Sequence, residues 1–519
     1  MLKTHNAFLI ILLITFGLKL NAQNFIGVSQ SNYAGNYAVN LNPAHAVDGR
    51  YKIHLNLAGV GVGLQNNHLK WAAPYSLFRL ITKTVPSRYL STTSGLPVWQ
   101  PSYYQFTNAN RAKLFINGEL VGPALTLTFP RLGFGISGGV RFRLFGSLTN
   151  TSPVIAQAIA TGTRNPALQN IDYIDSHGLM NIAAVNEFYG TIAKVIREDG
   201  PTFIKVGATA KRLTSNVNLS VNATDVDYRI EPNSALNMSQ TIQVPQAQGG
   251  FFHAAATTGT PGFGWVIDQM TSFSAVGNGF GAEIGIVYEQ RPNYARQRYK
   301  YKGQFIPDPE VNKYKLRLGA SLTDVGFITF NGVNEVQVGQ IANSGRVIQP
   351  ATFYQIGTTQ EFVGDIEDVF DPDSPYGNSF RILMPAKLNL QVDYEVREGF
   401  YVGGILRQSL FGNRRMGPVS YSGLSIIPRF EKKYVEFSFP VSLDQDYANF
   451  NFGATMRAGP LWLGIDHATG WFGIGKPKSL SAHAGLFLAL SHRRPGNSLL
   501  DCWFEPESRQ KKAGLFRKK

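Results

Sequence analysis

The chain has 519 residues, a formal net charge of +15, one cysteine, and abundant glycine (53), phenylalanine (35) and tyrosine (22). A single thiol excludes an internal disulfide framework, and after residue 22 no run of about 18 or more apolar residues offers a transmembrane helix. A membrane role therefore needs strands, and stability has to come from sheet closure or core size.

Lys3, an apolar core from about Ala7 to Phe16, and Leu20-Asn21-Ala22 before Gln23 predict a secretory signal peptide over residues 1–22. Export argues against nucleic acid as the reason for the positive charge. Residues 23–50 are rich in Asn, Gly and Ala and carry no strand pattern. Period-two alternation, the strand signature, begins at 51–65. A connection at 66–110 holds Trp71, Trp99, several prolines and a predicted short helix near Tyr75–Thr84.

Strands are predicted at about 111–129 and 134–147, where Val140, Phe142 and Leu144 oppose Arg141 and Arg143. After a long connection at 148–184, a strand at 185–197 turns into a long one from 202 to about 225. Residues 231–279 are weakly patterned; then 280–290 sets Ala282, Ile284, Ile286 and Tyr288 against Glu283 and Glu289, and 313–330 alternates likewise. Residues 331–380 form another long connection.

The longest run is 381–397, RILMPAKLNLQVDYEVR. Ile382, Met384, Ala386, Leu388, Leu390, Val392, Tyr394 and Val396 make one face; Arg381, Lys387, Asn389, Gln391, Asp393, Glu395 and Arg397 make the other, with Leu383 and Pro385 off pattern. Further strands follow near 400–411, 418–429, 433–443, 446–457, 460–467 and 481–492. The count is about fourteen, with tight turns and long connections mostly alternating. This predicts an all-β fold, a transmembrane antiparallel β-barrel over 51–492 with apolar residues toward lipid and polar residues toward the lumen. The connection 291–312 is long and basic where a short turn is expected. A soluble antiparallel sandwich would alternate too, but strand length and loop asymmetry favour the barrel.

No catalytic constellation emerges, nor any metal or cofactor site. Gly135-Ile136-Ser137-Gly138-Gly139 has the spacing of a nucleophile elbow but falls inside an alternating strand. The histidines are scattered. The acidic residues Glu361, Asp365, Glu367, Asp368, Asp371 and Asp373 cluster, but Phe362, Ile366, Val369 and Phe370 fall at helical spacing, which predicts an amphipathic helix rather than a calcium loop.

The stretch SNYAGNYAVNLNPA (31–44) resembles the N-terminal motif of the long-chain fatty acid outer-membrane transporter superfamily, through Asn42-Pro43-Ala44. GFGAEIGIVYE (279–289), YKLRLGASLTDVGFITF (314–330), MPAKLNLQVDY (384–394) and the turn at Arg457-Ala458-Gly459-Pro460 resemble an uncharacterised barrel family of Bacteroidota. The resemblance implies a hatch formed by 23–50 inside the barrel, with Asn32, Tyr33, Gly35, Asn36, Tyr37, Asn42, Pro43 and Ala44 as ligand or hatch residues. A periplasmic turn leading into the first strand is the simpler reading of the same segment. Residues 493–519 depart from the superfamily by running past the last strand; Lys511, Lys512, Arg517, Lys518 and Lys519 make this tail a candidate periplasmic partner-binding element or a solvated tail. The expected function is transport-like: an outer-membrane barrel that passes or binds a hydrophobic or amphipathic small molecule and is not an enzyme. The alternative is a non-transporting subunit of an envelope secretion or barrel-assembly complex.

Overall fold

The computed structural model describes residues 25–492, apart from 93–96, 98–99, 108, 164, 233–239, 256–274, 302–303, 351–357, 371–372 and 476. The signal peptide and the basic tail expected from sequence lie outside the described residues.

Fourteen antiparallel strands close into a ring. They are β1 (Tyr51–Asn66), β2 (Ala112–Phe129), β3 (Phe134–Thr151), β4 (Asp172–Asp199), β5 (Thr202–Glu231), β6 (Thr241–Ala255 and Gly277–Gln290) and β7 (Leu316–Asn331 and Val336–Ile348). Then come β8 (Asp373–Gly377, Ser379–Leu383 and Lys387–Arg397), β9 (Phe400–Ser409), β10 (Gly423–Glu431), β11 (Val435–Ser438 and Val441–Asp444), β12 (Asn449–Phe452 and Ala454–Ala458), β13 (Leu461–Ile465) and β14 (Ser479–Ser491). The ring closes where β14 pairs with β1, from Tyr51↔Ser491 to Gln65↔Ser479. The two pieces of β6 form one descending strand: Thr241–Ala255 pairs with the upper half of β5 and Gly277–Gln290 with its lower half. Both ends of the ring sequence lie at the same end of the barrel, as do the short turns at 130–133, 200–201, 398–399, 432–434 and 459–460; the short turn 445–448 joins β11 and β12 at the other end.

The strand count and order agree with the sequence, but three connections are shorter than expected. β4 starts at Asp172 and β5 runs to Glu231, while Thr241–Ala255 and Val336–Ile348 are strands. β5, with 30 residues, is about three times the 9–11 that cross a bilayer. The outer halves carry Asp172, Asp175, Asp225 and Asp227, so they stand clear of lipid and lack its alternation. The expected amphipathic helix is there as Thr359–Phe370, with Val363 and Ile366 packed on Leu219 and Phe251.

Apolar side chains face outward: Ile284 (58 % exposed), Ile286, Leu390, Val392, Phe450 and Leu488. Their neighbours Glu283, Glu289, Asn389, Gln391, Asn451 and His483 are buried inside. Cation–aromatic pairs edge this band. Arg212 lies 5.0 Å over Phe280 and Arg381 4.8 Å over Phe327 on the side of the long connections. Lys315 lies 5.0 Å over Tyr394 and Arg397 4.1 Å over Phe400 on the side of the short turns. Such girdles belong at the two membrane interfaces.

Two facings differ from expectation: Tyr314, expected outward with Leu316 and Leu318, is buried inside and bonded to Asp393, and part of β8 is reversed. Leu388 to Val396 point outward as predicted, but Ile382, Met384 and Ala386 are buried inside, and Leu383 (43 % exposed) points out. Met384–Ala386 leave the ladder, and the neighbouring β7 has a register shift between Leu322 and Val325, with Asp324 at φ 58°. These irregularities swap the faces, so one apolar sequence face lines lipid below the break and the interior above it. Ile284→Arg is expected to destabilise the barrel by about 2–4 kcal/mol if placed near mid-membrane, read from urea unfolding in lipid vesicles; no change would contradict the outward assignment.

Candidate functional site

The interior is occupied from below by residues 25–50, which make two short helices, α1 (Ile26–Ser29) and α2 (Asn36–Leu41), and a 3₁₀ turn, Pro43–Ala46. A residue preceding proline is driven to extended geometry, and Asn42 sits at φ −153°, ψ 114°. Its side chain then works in two directions. Asn42 Oδ1 accepts from the Ala44 amide at 3.0 Å and caps the turn, while Nδ2 donates to the Ile286 and Ala320 carbonyls of β6 and β7 at 3.2 and 3.3 Å. Wall glycines make this approach possible. A Cβ on Gly285 would overlap the Asn42 amide, one on Gly207 would overlap Pro43, and one on Gly135 would overlap the Ala46 carbonyl.

The other residues nominated from sequence are also buried or half-buried against the wall. Asn32 Oδ1 accepts from Tyr314 and Arg317, both at 3.1 Å. The Tyr33 ring packs against Tyr51 with Arg457 4.9 Å above it. Gly35, at φ 54°, lies flat against His54. Asn36 Nδ2 donates to Ser137 Oγ at 3.1 Å, and its Oδ1 is 2.7 Å from His54 Nδ1. Tyr37 donates to Asn56 Oδ1 at 2.9 Å and packs edge-on against Phe25 and Trp462. Ala44 is fully buried.

Sequence reasoning missed three anchors. Gln30 Nε2 donates to the Gly404 carbonyl at 2.8 Å and Ser31 Oγ to Glu436 at 2.6 Å. Asp48, the lone carboxylate in residues 23–50, meets Arg291 at 2.6 Å and Lys313 at 3.0 Å; that isolation was the available signal. Burial pushes the Asp48 carboxyl up, but Lys313, Arg291 and Arg50 outweigh it and hold it well below the usual range. Burial pulls the Lys313 ammonium down to about 8, against the opposing effect of Asp48. A cavity of about 40 Å³ lies here, touching Asn32, His45, Asp48, Arg50, His54 and Glu289.

Above the segment is a layer of paired charges. Arg143 reaches Glu187 at 2.8 Å and Asp324 at 2.7 Å, Lys211 reaches Glu283 at 2.6 Å, Arg141 reaches Glu119 at 2.7 Å and Lys387 reaches Asp324 at 3.2 Å. Four cations thus meet four carboxylates, the balance that burial of charge demands. Higher still is an apolar layer containing Phe145, Leu213, Ile328, Phe330, Phe380, Ile382 and Met384.

The long-connection side has its own closure. Residues 410–422, expected in part to be strand, instead run through the interior between β9 and β10. The Gly417 amide donates to Asn181 Oδ1 of β4 at 2.8 Å and to Ser220 Oγ of β5 at 3.1 Å, and Thr149 Oγ1 of β3 donates to the Asn413 carbonyl at 2.7 Å. Arg415 donates to the Met384 carbonyl at 3.2 Å, and Gln65 Nε2 of β1 donates to the Tyr421 hydroxyl at 2.9 Å. Because β3–β5 stand most of the way across the ring from β10, these contacts make 410–422 a strap over the lumen. Ser137 of the Gly-x-Ser-x-Gly string lies within β3 and shares hydrogen bonds with Asn36 and Thr126.

A family described as "Family of unknown function (DUF5723)" matches residues 43–466. The chain belongs to that family. No curated protein matches it. Among solved structures, the toluene transporter TodX of Pseudomonas putida is 10% identical, with 90% of this chain and 97% of that one covered and a TM-score of 0.36. The toluene transporter TbuX of Ralstonia pickettii is 11% identical over 92% and 100%, with a TM-score of 0.37. A FadL homologue of Pseudomonas aeruginosa is 10% identical over 90% and 98%, with a TM-score of 0.26.

Asp48→Asn leaves Arg291 and Lys313 buried with less compensation and is expected to destabilise the protein by about 3–5 kcal/mol near neutral pH. Because the folded carboxyl titrates below the unfolded value, its contribution is complete above about pH 4 and fades as acid protonates it. Urea titrations of both proteins across that range check this; a gap unchanged into strong acid would contradict it.

Proposed function

We propose that this protein is a gated outer-membrane passage for a hydrophobic or amphipathic small molecule, held closed by residues 25–50 below and by the 410–422 strap above. The reading rests chiefly on one observation: an apolar layer around Phe145, Phe330, Phe380 and Met384 that contains no residue of 25–50 and is enclosed between the strap and the charged layer. Apolar walls with few polar groups are what small hydrophobic ligands select. The segment is seated by neutral hydrogen bonds, each contributing about 0.5–1.5 kcal/mol, by the Asp48 ion pairs and by packing of Phe25, Tyr37 and Ile26 on Trp462, Ile405 and Ile427. None of these contacts belongs to the strand ladder, so the segment can be displaced without dismantling the ring. Asn32, Tyr33, Gly35, Asn36, Tyr37, Asn42, Pro43 and Ala44 act as seating residues of this plug.

The close packing of the lower interior favours a second reading, in which the barrel is a static subunit of an envelope secretion or assembly complex. Planar-bilayer conductance separates the two. Deleting 25–50 alone, or replacing 411–420 by a short Gly-Ser linker alone, is expected to leave conductance low. The double change is expected to open ion flow and to admit an apolar dye into vesicles. A doubly altered protein that keeps the heat-modifiable mobility of a folded barrel yet stays closed would contradict the passage and favour the static subunit.

A further inference from the structure

We propose that the rim formed by the β8–β9 and β10–β11 turns binds the phosphate headgroup of an anionic phospholipid in the inner leaflet. Arg397, Lys432 and Lys433 are all exposed there. Each is held against a ring: Arg397 lies 4.1 Å over Phe400, Lys432 5.5 Å over Phe430, and Lys433 5.7 Å over Tyr434. Phe400 and Phe430 face each other across β9 and β10, with centroids 4.8 Å apart. The three cations therefore form one patch on two neighbouring turns rather than a scatter of surface charge.

The local carboxylates do not neutralise it. Glu431 is buried and bonded to Arg429 at 2.9 Å, which leaves Glu398 as the exposed acid on these turns. Among the described residues none of the three cations is in an ion pair. Immediately above, the wall presents Tyr394, Val402, Ile426 and Phe437, all exposed. A ligand that fits has an anionic head and an apolar tail in fixed order. A guanidinium fork suits two phosphate oxygens, and ammonium groups on aliphatic stems reach the headgroup plane from the apolar boundary. Short turns of such barrels face the periplasm, which places phospholipid at this rim. The inference needs membrane insertion, not passage, so it survives if the gated reading fails.

The test uses the full-length protein in nanodiscs of phosphatidylethanolamine with a minor fraction of phosphatidylglycerol, followed by gentle release and native mass spectrometry. The wild type is expected to retain phosphatidylglycerol preferentially. The Arg397→Gln/Lys432→Gln/Lys433→Gln variant is expected to lose that preference by about a hundredfold, about fivefold per cation, and Lys432→Gln alone by about fivefold. Lys70→Gln, at the opposite end, is expected to change nothing. Soluble glycerol 1-phosphate is expected not to displace the lipid. Equal retention of both lipids by the wild type, or an unchanged triple variant that is still folded, would overturn the proposal. Displacement by glycerol phosphate, or capture of peptidoglycan fragments instead of lipid, would also overturn it.

Discussion

Closing the ring between β14 and β1 leaves no free strand edge, and that is the constraint from which the rest follows. In hydrocarbon, every backbone amide and carbonyl needs a partner within the protein, and a closed antiparallel ladder supplies one. Once the ring is closed, a side chain has only two destinations, lipid or interior. Period-two alternation then sorts Ile284, Leu390 and Leu488 outward and Glu283, Gln391 and His483 inward. The sorting creates a second demand, because a buried polar wall is costly unless its groups are hydrogen-bonded or paired.

The interior meets that demand in layers. At the level of residues 25–50, Gln30 and Asn42 donate to wall carbonyls, Ser31 donates to the Glu436 carboxylate, Asn32 accepts from Tyr314 and Arg317, and Asn36 donates to the Ser137 hydroxyl, the close approach being allowed by glycines in β3, β5 and β6. One level up there is no inserted segment, and the wall charges pair with each other. Above that, the break at Met384–Ala386 exchanges faces and the interior becomes apolar. The strap then returns polar partners to Asn181 and Ser220. Each layer uses a different solution to the same problem, so a local change should disturb its own layer before it disturbs the ring.

Strand number, order and most facings were legible because lipid imposes a strict alternation on the sequence. The outer halves of β4–β7 were not, because strands standing in water are released from that rule and Asp172 or Asp225 can occupy either face. The reversal at Ile382, Met384 and Ala386 was hidden for a different reason. The alternation continues unbroken in sequence while the backbone skips, and only the off-pattern Leu383 and Pro385 hinted at it. Asn42-Pro43-Ala44 was legible as an irregular element through the stiffness of proline, but its wall partners are more than 200 residues away. The strap left no signal: only 412–417 fell between two expected strands, 410–411 and 418–422 were expected to be strand, and the inward path depends on acceptors supplied by β4 and β5.

The layered interior depends on residues 25–50 sitting inside the ring, in contact with its inner wall. Gly27 and Ser438 provide the most direct measurement, since Ser438 Oγ donates to the Gly27 carbonyl at 2.7 Å and a Cβ on Gly27 would fall 2.9 Å from that hydroxyl. The same Cβ would overlap the Thr455 side chain, lying against its Oγ1 and 2.7 Å from its Cβ, so Thr455→Gly accompanies the cysteine pair. With Cys502 replaced by serine, the Gly27→Cys/Ser438→Cys protein should form an intramolecular disulfide in membranes under mild oxidation, detected by mass spectrometry after digestion. Two thiols that stay free and react readily with a water-soluble maleimide, in a barrel shown to be folded, would contradict it.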